Sequence, residues 1–102
     1  MAKVDMERMR AAAGTATAVL RALANEDRLL LLCQLSQGEH SVGELEAQLD
    51  IRQPTLSQQL GVLRKEELVD TRREGKYIYY AIADASVLAL LKTLYSLYCP
   101  KD

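Results

Sequence analysis

The stretch from Ser41 to Leu63, SVGELEAQLDIRQPTLSQQLGVL, constrains the chain more than any other, because it reads as two short helices separated by a tight turn. Ser41 is placed to cap the first helix, with Glu44 three residues on to complete a capping box, and Val42, Leu45 and Leu49 recur at helical spacing. Asp50, Ile51 and Arg52 make the turn. Pro54 then falls near the first turn of a second helix, where its missing N–H costs nothing, and Leu56, Leu60 and Leu63 share an inward face. The other side carries Thr55, Ser57, Gln58 and Gly61, which are short or amide-bearing and able to bond base edges at close range. This is the pattern of a helix-turn-helix.

The flanking segments fit the same plan. With 102 residues, 49% of them hydrophobic, the chain is expected to form a single domain over residues 1–102. Met6 to Leu23 is predicted to be a helix with Met6, Met9, Ala13, Ala16, Leu20 and Leu23 along one stripe. Asn25 caps a second helix, Glu26 to about Gln37, whose Leu29, Leu30, Leu31, Leu32, Cys33 and Leu35 place it at the centre of the core with little of it facing water. After the helix-turn-helix, Leu68 to Arg73 and Tyr77 to Ile82 read as strands joined by a turn at Glu74, Gly75 and Lys76. Arg72, Arg73 and Lys76 lie close to the tip of this hairpin, where a wing grips phosphates beside a groove. Asp84 caps a last helix running to about Tyr98, before Cys99 and Pro100. The predicted architecture is mainly α with a β-hairpin wing, a winged helix-turn-helix in the order α-α-α-α-β-β-α. Its two apolar terminal helices exceed what one small domain covers, which points to a homodimer with two recognition helices about one turn of DNA apart.

Charge and composition narrow the function. The net charge of -1 argues against a general nucleic-acid glue, yet Arg52, Arg64, Lys65, Arg72, Arg73 and Lys76 follow a segment whose charges are all acidic, Glu39, Glu44, Glu46 and Asp50. No window approaches a membrane span, and the charges at Lys3, Asp5, Glu7, Arg8 and Arg10 interrupt any leader-like run, so the expectation is a cytoplasmic protein with no membrane partner. An enzyme using Cys99 as nucleophile would need a base in reach, but His40 lies in the wrong segment and no oxyanion or cofactor motif appears, so no enzyme activity and no cofactor are expected. His40 has no second His or Cys nearby, and the last helix offers only Asp84, so no metal site is expected within one chain.

Cys33 and Cys99 remain. If the last helix packs back across the second, the two thiols meet despite their separation in sequence. Cys33 alone also reads as a small buried hydrophobe, whereas Cys99 near the end of the chain fits a transient, regulatory link better than a permanent disulfide in a reducing compartment. A direct disulfide requires Cα atoms roughly 4.4–6.8 Å apart, and inserted sulfur atoms bridge a wider gap. Cys99, the more accessible of the two, is expected to be the entry point and Cys33 to resolve. The alternatives from the residues are a metal-responsive repressor that recruits ligands from a partner chain, a general redox switch, and a winged-helix module that binds protein instead of DNA.

Taken together, ALANEDRLLLL, SVGELEAQLDIRQPTLSQQLGVLR and TRREGKYIYYAI resemble the ArsR/SmtB winged-helix repressors over nearly the whole chain. That resemblance implies a homodimer joined through its first and last helices. It implies reading of an imperfect inverted repeat in double-stranded operator DNA with Gln53, Thr55, Ser57 and Gln58, and use of the wing from Arg72 to Lys76. The family often has glycine where this chain has Asp50 and Glu67; a left-handed glutamate costs on the order of 1 kcal/mol, so the exit from the recognition helix is expected to differ. Thiolate sensors of the family carry cysteines where this chain has Val42 and Gly43. LLLLCQL around Cys33 and LYSLYCP around Cys99 instead resemble the family's dithiol, persulfide-sensing subgroup. By that resemblance the reduced dimer holds its operator, and reactive sulfur species act as inducer by joining Cys33 to Cys99 through a disulfide or polysulfide within one chain.

Overall fold

The computed structural model describes residues 5–99; Lys3 and Pro100, on which expectations above touch, lie outside them. Helix α1, Met6–Leu23, starts where the Asp5 carboxylate accepts the N–H groups of Glu7 and Arg8. Helix α2, Glu26–Leu35, is capped by the Asn25 side chain and has Glu26 and Asp27 in its first turn, as the helix dipole favours. Helix α3, Val42–Leu49, carries the capping box: Glu44 N–H donates to Ser41 Oγ at 3.2 Å and Ser41 N–H donates to Glu44 Oε1 at 2.8 Å. Helix α4, Thr55–Lys65, follows Pro54, and helix α5, Ala85–Tyr98, is capped by Asp84.

Between His40 and Ile82 the chain also builds a three-stranded antiparallel sheet. Strand β2, Val69–Glu74, pairs with β3, Tyr77–Ile82, in the register Arg72 to Tyr79 and Glu74 to Tyr77, with Gly75 at φ 62° in the turn. A two-residue strand β1, His40–Ser41, adds to the other edge of β3, giving the order β1-β3-β2. The hairpin is therefore anchored to the start of the helix-turn-helix. Strand β1 is too short to have a periodicity of its own, so the sequence predicted only the hairpin.

The core is formed by Leu31, Leu32 and Leu35 of α2, Leu45 of α3, Leu56, Leu60 and Leu63 of α4, and Val87 and Leu91 of α5, with Leu68 and Val69 leading into the sheet. Two expectations are corrected here. Helix α2 is not buried all round: Leu31 and Leu32 are fully buried, but Leu30 is 43% exposed and Leu29 and Cys33 are only partly covered. Consecutive leucines on a helix point about 100° apart, so a run of them cannot all face one core. The exit from α4, which glutamate was expected to alter, keeps the left-handed conformation, with Glu67 at φ 61°.

The reason for the second correction is a Schellman closure. Leu68 N–H donates to the Leu63 carbonyl at 3.0 Å and Glu67 N–H to the Arg64 carbonyl at 3.0 Å, while Leu63 and Leu68 are both buried. Burying the two leucines and satisfying two carbonyls outweighs a backbone strain of about 1 kcal/mol. Glu67→Gly therefore raises the denaturant midpoint by the equivalent of about 0.5–1 kcal/mol. A lower midpoint on chemical denaturation would show that the glutamate side chain contributes more than the strain it causes.

Candidate nucleic-acid interface and thiol cleft

The buried leucines of α4 fix which side of that helix faces out. With Leu56, Leu60 and Leu63 turned inward, Ser57, Gln58 and Gly61 are exposed and Thr55 is half-exposed. Gln53 sits at the entrance of the helix, and its side-chain Oε1 accepts the Ser57 N–H at 3.1 Å. It thus satisfies one of the orphan donors of the first turn and leaves its NH2 group free to donate outward. The last turn is basic, with Arg64 and Lys65.

Behind this helix lies a brace that the sequence reading missed. Arg28 of α2 donates through Nε to the Ala22 carbonyl at 2.6 Å, through Nη2 to the Arg21 carbonyl at 3.4 Å and through Nη1 to Gln59 Oε1 at 3.3 Å. One guanidinium thereby ties together the end of α1, the start of α2 and the buried side of α4. A single arginine in an otherwise leucine-rich helix was the available signal.

The wing divides its cations into two kinds. Arg72 donates through Nε to both oxygens of Glu39, at 3.1 and 3.0 Å, pairs its Nη2 with the same carboxylate, reaches Glu74 Oε2 through Nη1 at 2.7 Å, and lies 4.6 Å from the centre of the Tyr79 ring. The Arg72 hydrogen bonds hold the Glu39 carboxyl below its ordinary range. Arg72 is thus clamped to the segment before β1, and its charge is largely answered within the chain. Arg73 and Lys76 are exposed, and the ion pairs found among the described residues involve Arg72 alone. Lys76 lies over the Tyr77 ring at 5.6 Å.

The two cysteines share a cleft between two helices. Where α5 packs on α2, Cys33 and Cys99 line one cleft of about 400 Å³, walled by Leu29, Leu30, Leu94 and Tyr98 with Glu26 also lining it. Both thiols are free and partly exposed. Burial pushes the Cys33 thiol up from its ordinary value, and the nearby Cys99 pushes it further in the same direction. At neutral pH Cys33 is therefore held as the thiol. Among the described residues no group of three or more His, Cys, Asp or Glu side chains gathers as a metal-binding set. His40, through Nδ1, sits 2.8 Å from the Gly38 carbonyl, a local turn contact.

Both terminal helices leave apolar surface uncovered. Met6, Met9 and Leu20 of α1 are each more than half exposed, as are Leu97 and Tyr98 of α5. A groove of about 540 Å³ runs between the helices, lined by Ala12, Ala16, Val19, Leu20, Val87 and Leu90.

An exposed polar face on the second helix of a helix-turn-helix, flanked by a basic-tipped hairpin, defines a winged helix-turn-helix DNA-binding protein. The bacterial regulatory protein arsR family profile matches residues 25–71. The biofilm growth-associated repressor of Agrobacterium fabrum is 57% identical over 84 residues, 82% of this chain and 72% of that protein. The crystal structure of the transcriptional repressor BigR from Xylella fastidiosa superimposes with a TM-score of 0.85 at 45% identity, covering 96% of this chain and all of that one. Reduced HlyU from Vibrio cholerae matches with a TM-score of 0.87 at 40% identity over 92% of this chain and 99% of that one. The chain belongs to the arsR family of bacterial transcriptional regulators. Among the described residues no helix is long and apolar enough to cross a membrane.

Proposed function

We propose that the protein is a cytoplasmic transcriptional repressor that binds an imperfect inverted repeat in double-stranded operator DNA as a homodimer and releases it when reactive sulfur species bridge Cys33 and Cys99 within one chain. The observation that carries this reading is the shared cleft: two cysteines far apart in sequence line one apolar recess between α2 and α5. The relatives support it, since two of them bear the description repressor and a third was solved in a form described as reduced.

Cys99, at the end of α5, accepts the first sulfur, and Cys33 closes the bridge from α2. In the simplest balanced form, sulfane sulfur and two thiols give a disulfide and hydrogen sulfide; each further sulfane sulfur atom lengthens the bridge by one. Closing it ties α5 to α2. The exposed apolar stripes of α1 and α5 are the surfaces on which two chains pair, so a constraint on α5 changes the spacing or angle of two recognition helices. Loss of one well-placed half-site is enough to lower affinity by roughly 5–150-fold, the range of a coupling of about 1–3 kcal/mol.

On the DNA side, Gln53, Thr55, Ser57 and Gln58 read base edges, and Arg73 and Lys76 hold phosphate. Arg72 shapes the wing through Glu39 and contributes less direct charge. Arg73→Ala accordingly weakens operator and random duplex alike, and it lowers the slope of log affinity against log salt by about 2, one phosphate contact from each chain of the dimer. A salt titration of both duplexes checks this; an unchanged slope would place Arg73 off the phosphates. Operator binding before and after treatment with a sulfane-sulfur donor tests the reading as a whole. Peroxide in a parallel sample separates a sulfur sensor from a general dithiol switch, and release by zinc or arsenite alone would assign the cleft to metal.

A further inference from the structure

Helix α4 is held to the core by Leu56, Leu60 and Leu63, all buried. Hydrocarbon contact of that kind fixes how deep a helix lies but resists its rolling only weakly, because burial has no preferred direction. A hydrogen bond at the flank does have one. Gln59 is half-buried on that flank, next in the chain to Gln58, and its Oε1 accepts from Nη1 of Arg28 at 3.3 Å. The same guanidinium reaches back to α1, donating to the Ala22 carbonyl at 2.6 Å and to the Arg21 carbonyl at 3.4 Å. Both carbonyls belong to the last turn of that helix, where no further turn supplies a donor. Between the two helices lies a recess of about 250 Å³, with Ala18 and Ala22 on the α1 side and Val62 and Glu66 on the α4 side, and Arg28 spans it. The alanines are too short to cover Val62, which stays 39% exposed.

We propose that Arg28 and Gln59 form a strut that sets the roll of the recognition helix against α1, and thereby the distance and phase between the two half-sites that a dimer reads. This rests on the homodimer reading above, in which α1 carries part of the pairing surface and so moves with the partner chain. Arg28 is a positioning residue that acts through Gln59 and not on the DNA itself. Without the strut α4 rolls more freely, and each recognition helix adapts to a half-site that is out of phase. Affinity for the correct spacing falls, and affinity for a wrong spacing falls less.

The test uses the duplex that the intact protein enriches from a random pool, together with versions carrying one base pair more or one fewer between the half-sites. One base pair turns a half-site by about 34° and moves it by about 3.4 Å. The wild type is expected to bind the altered spacings about tenfold more weakly. Gln59→Leu, which spares the bonds from Arg28 to α1, is expected to narrow that ratio by about threefold, and Arg28→Met by as much or more. Gln59→Glu makes the contact charge-assisted and keeps the full ratio, although its negative charge weakens binding of all three duplexes together. A merely stabilising contact would lower the denaturant midpoint and leave the ratio alone. An unchanged ratio in Gln59→Leu and Arg28→Met would therefore overturn the strut, and Gln59→Leu decides the matter should Arg28→Met fail to fold. A wild type that sediments as a monomer, or enriches no paired half-sites, would take down the homodimer reading together with this one.

Discussion

Replacing Cys99 by serine leaves operator affinity within about twofold of wild type and abolishes release by sulfane sulfur, where the wild type loses roughly 5–150-fold. Cys99 lies at the C-cap of α5, partly exposed, and its backbone N–H, which donates to the Tyr95 carbonyl at 3.0 Å, is untouched by the change. Serine is close to cysteine in size but forms no sulfur–sulfur bond. The fold and the DNA-reading surface therefore persist while the switch is lost. Cys33→Ser is a poorer probe, because a hydroxyl in that half-buried apolar setting costs about 1–3 kcal/mol without a partner. Cys33→Ala avoids the penalty and is expected to give the same loss of response. Fluorescence anisotropy on an operator duplex, with and without donor, measures both quantities. Full release of the Cys99→Ser protein would remove the bridge from the mechanism.

Gln58→Ala produces the second large effect, on DNA selection. Its side chain is exposed on the face of α4 opposite Leu56, Leu60 and Leu63, and an amide there bonds an adenine edge in two places. Truncation costs about 1–3 kcal/mol on the operator and much less on random sequence. Folding stability changes little, since Gln58 makes no side-chain bond among those found in the described residues and alanine favours the helix. Competition between operator and random duplex reads the specificity ratio directly. An equal loss on both would make Gln58 a phosphate contact.

Much of this was legible in local sequence. The capping box at Ser41 and Glu44, the Asn25 and Asp84 caps and the leucine spacing of α4 each depend on residues within a turn or two, and each recurs in the structure where the pattern placed it. The features that escaped are the non-local ones. Glu39 and Arg72 meet only because β1 and β2 flank β3, and a two-residue strand leaves no pattern to read. The burial of α2 was overestimated because hydropathy marks what avoids water, not which of several surfaces covers it; Leu29 and Leu30 turn to the thiol cleft. Glu67 shows propensity yielding to packing, as Leu68 draws the chain through a left-handed turn. The meeting of Cys33 and Cys99 depended on one inference, that α5 returns across α2, and the cleft that they share lies where those helices pack.

The central claim is that one intramolecular bridge controls DNA release, and the most direct test is non-reducing intact mass with peptide mapping on a sample whose operator binding is measured in parallel. After treatment with a sulfane-sulfur donor, the account predicts a single chain that has lost two hydrogens and gained one sulfur atom for each that lengthens the bridge beyond a disulfide, a cross-linked pair of peptides containing Cys33 and Cys99, and release of the operator in the same proportion. An unbridged chain that still lets go of DNA, or a bridged chain that keeps hold of it, would contradict the account.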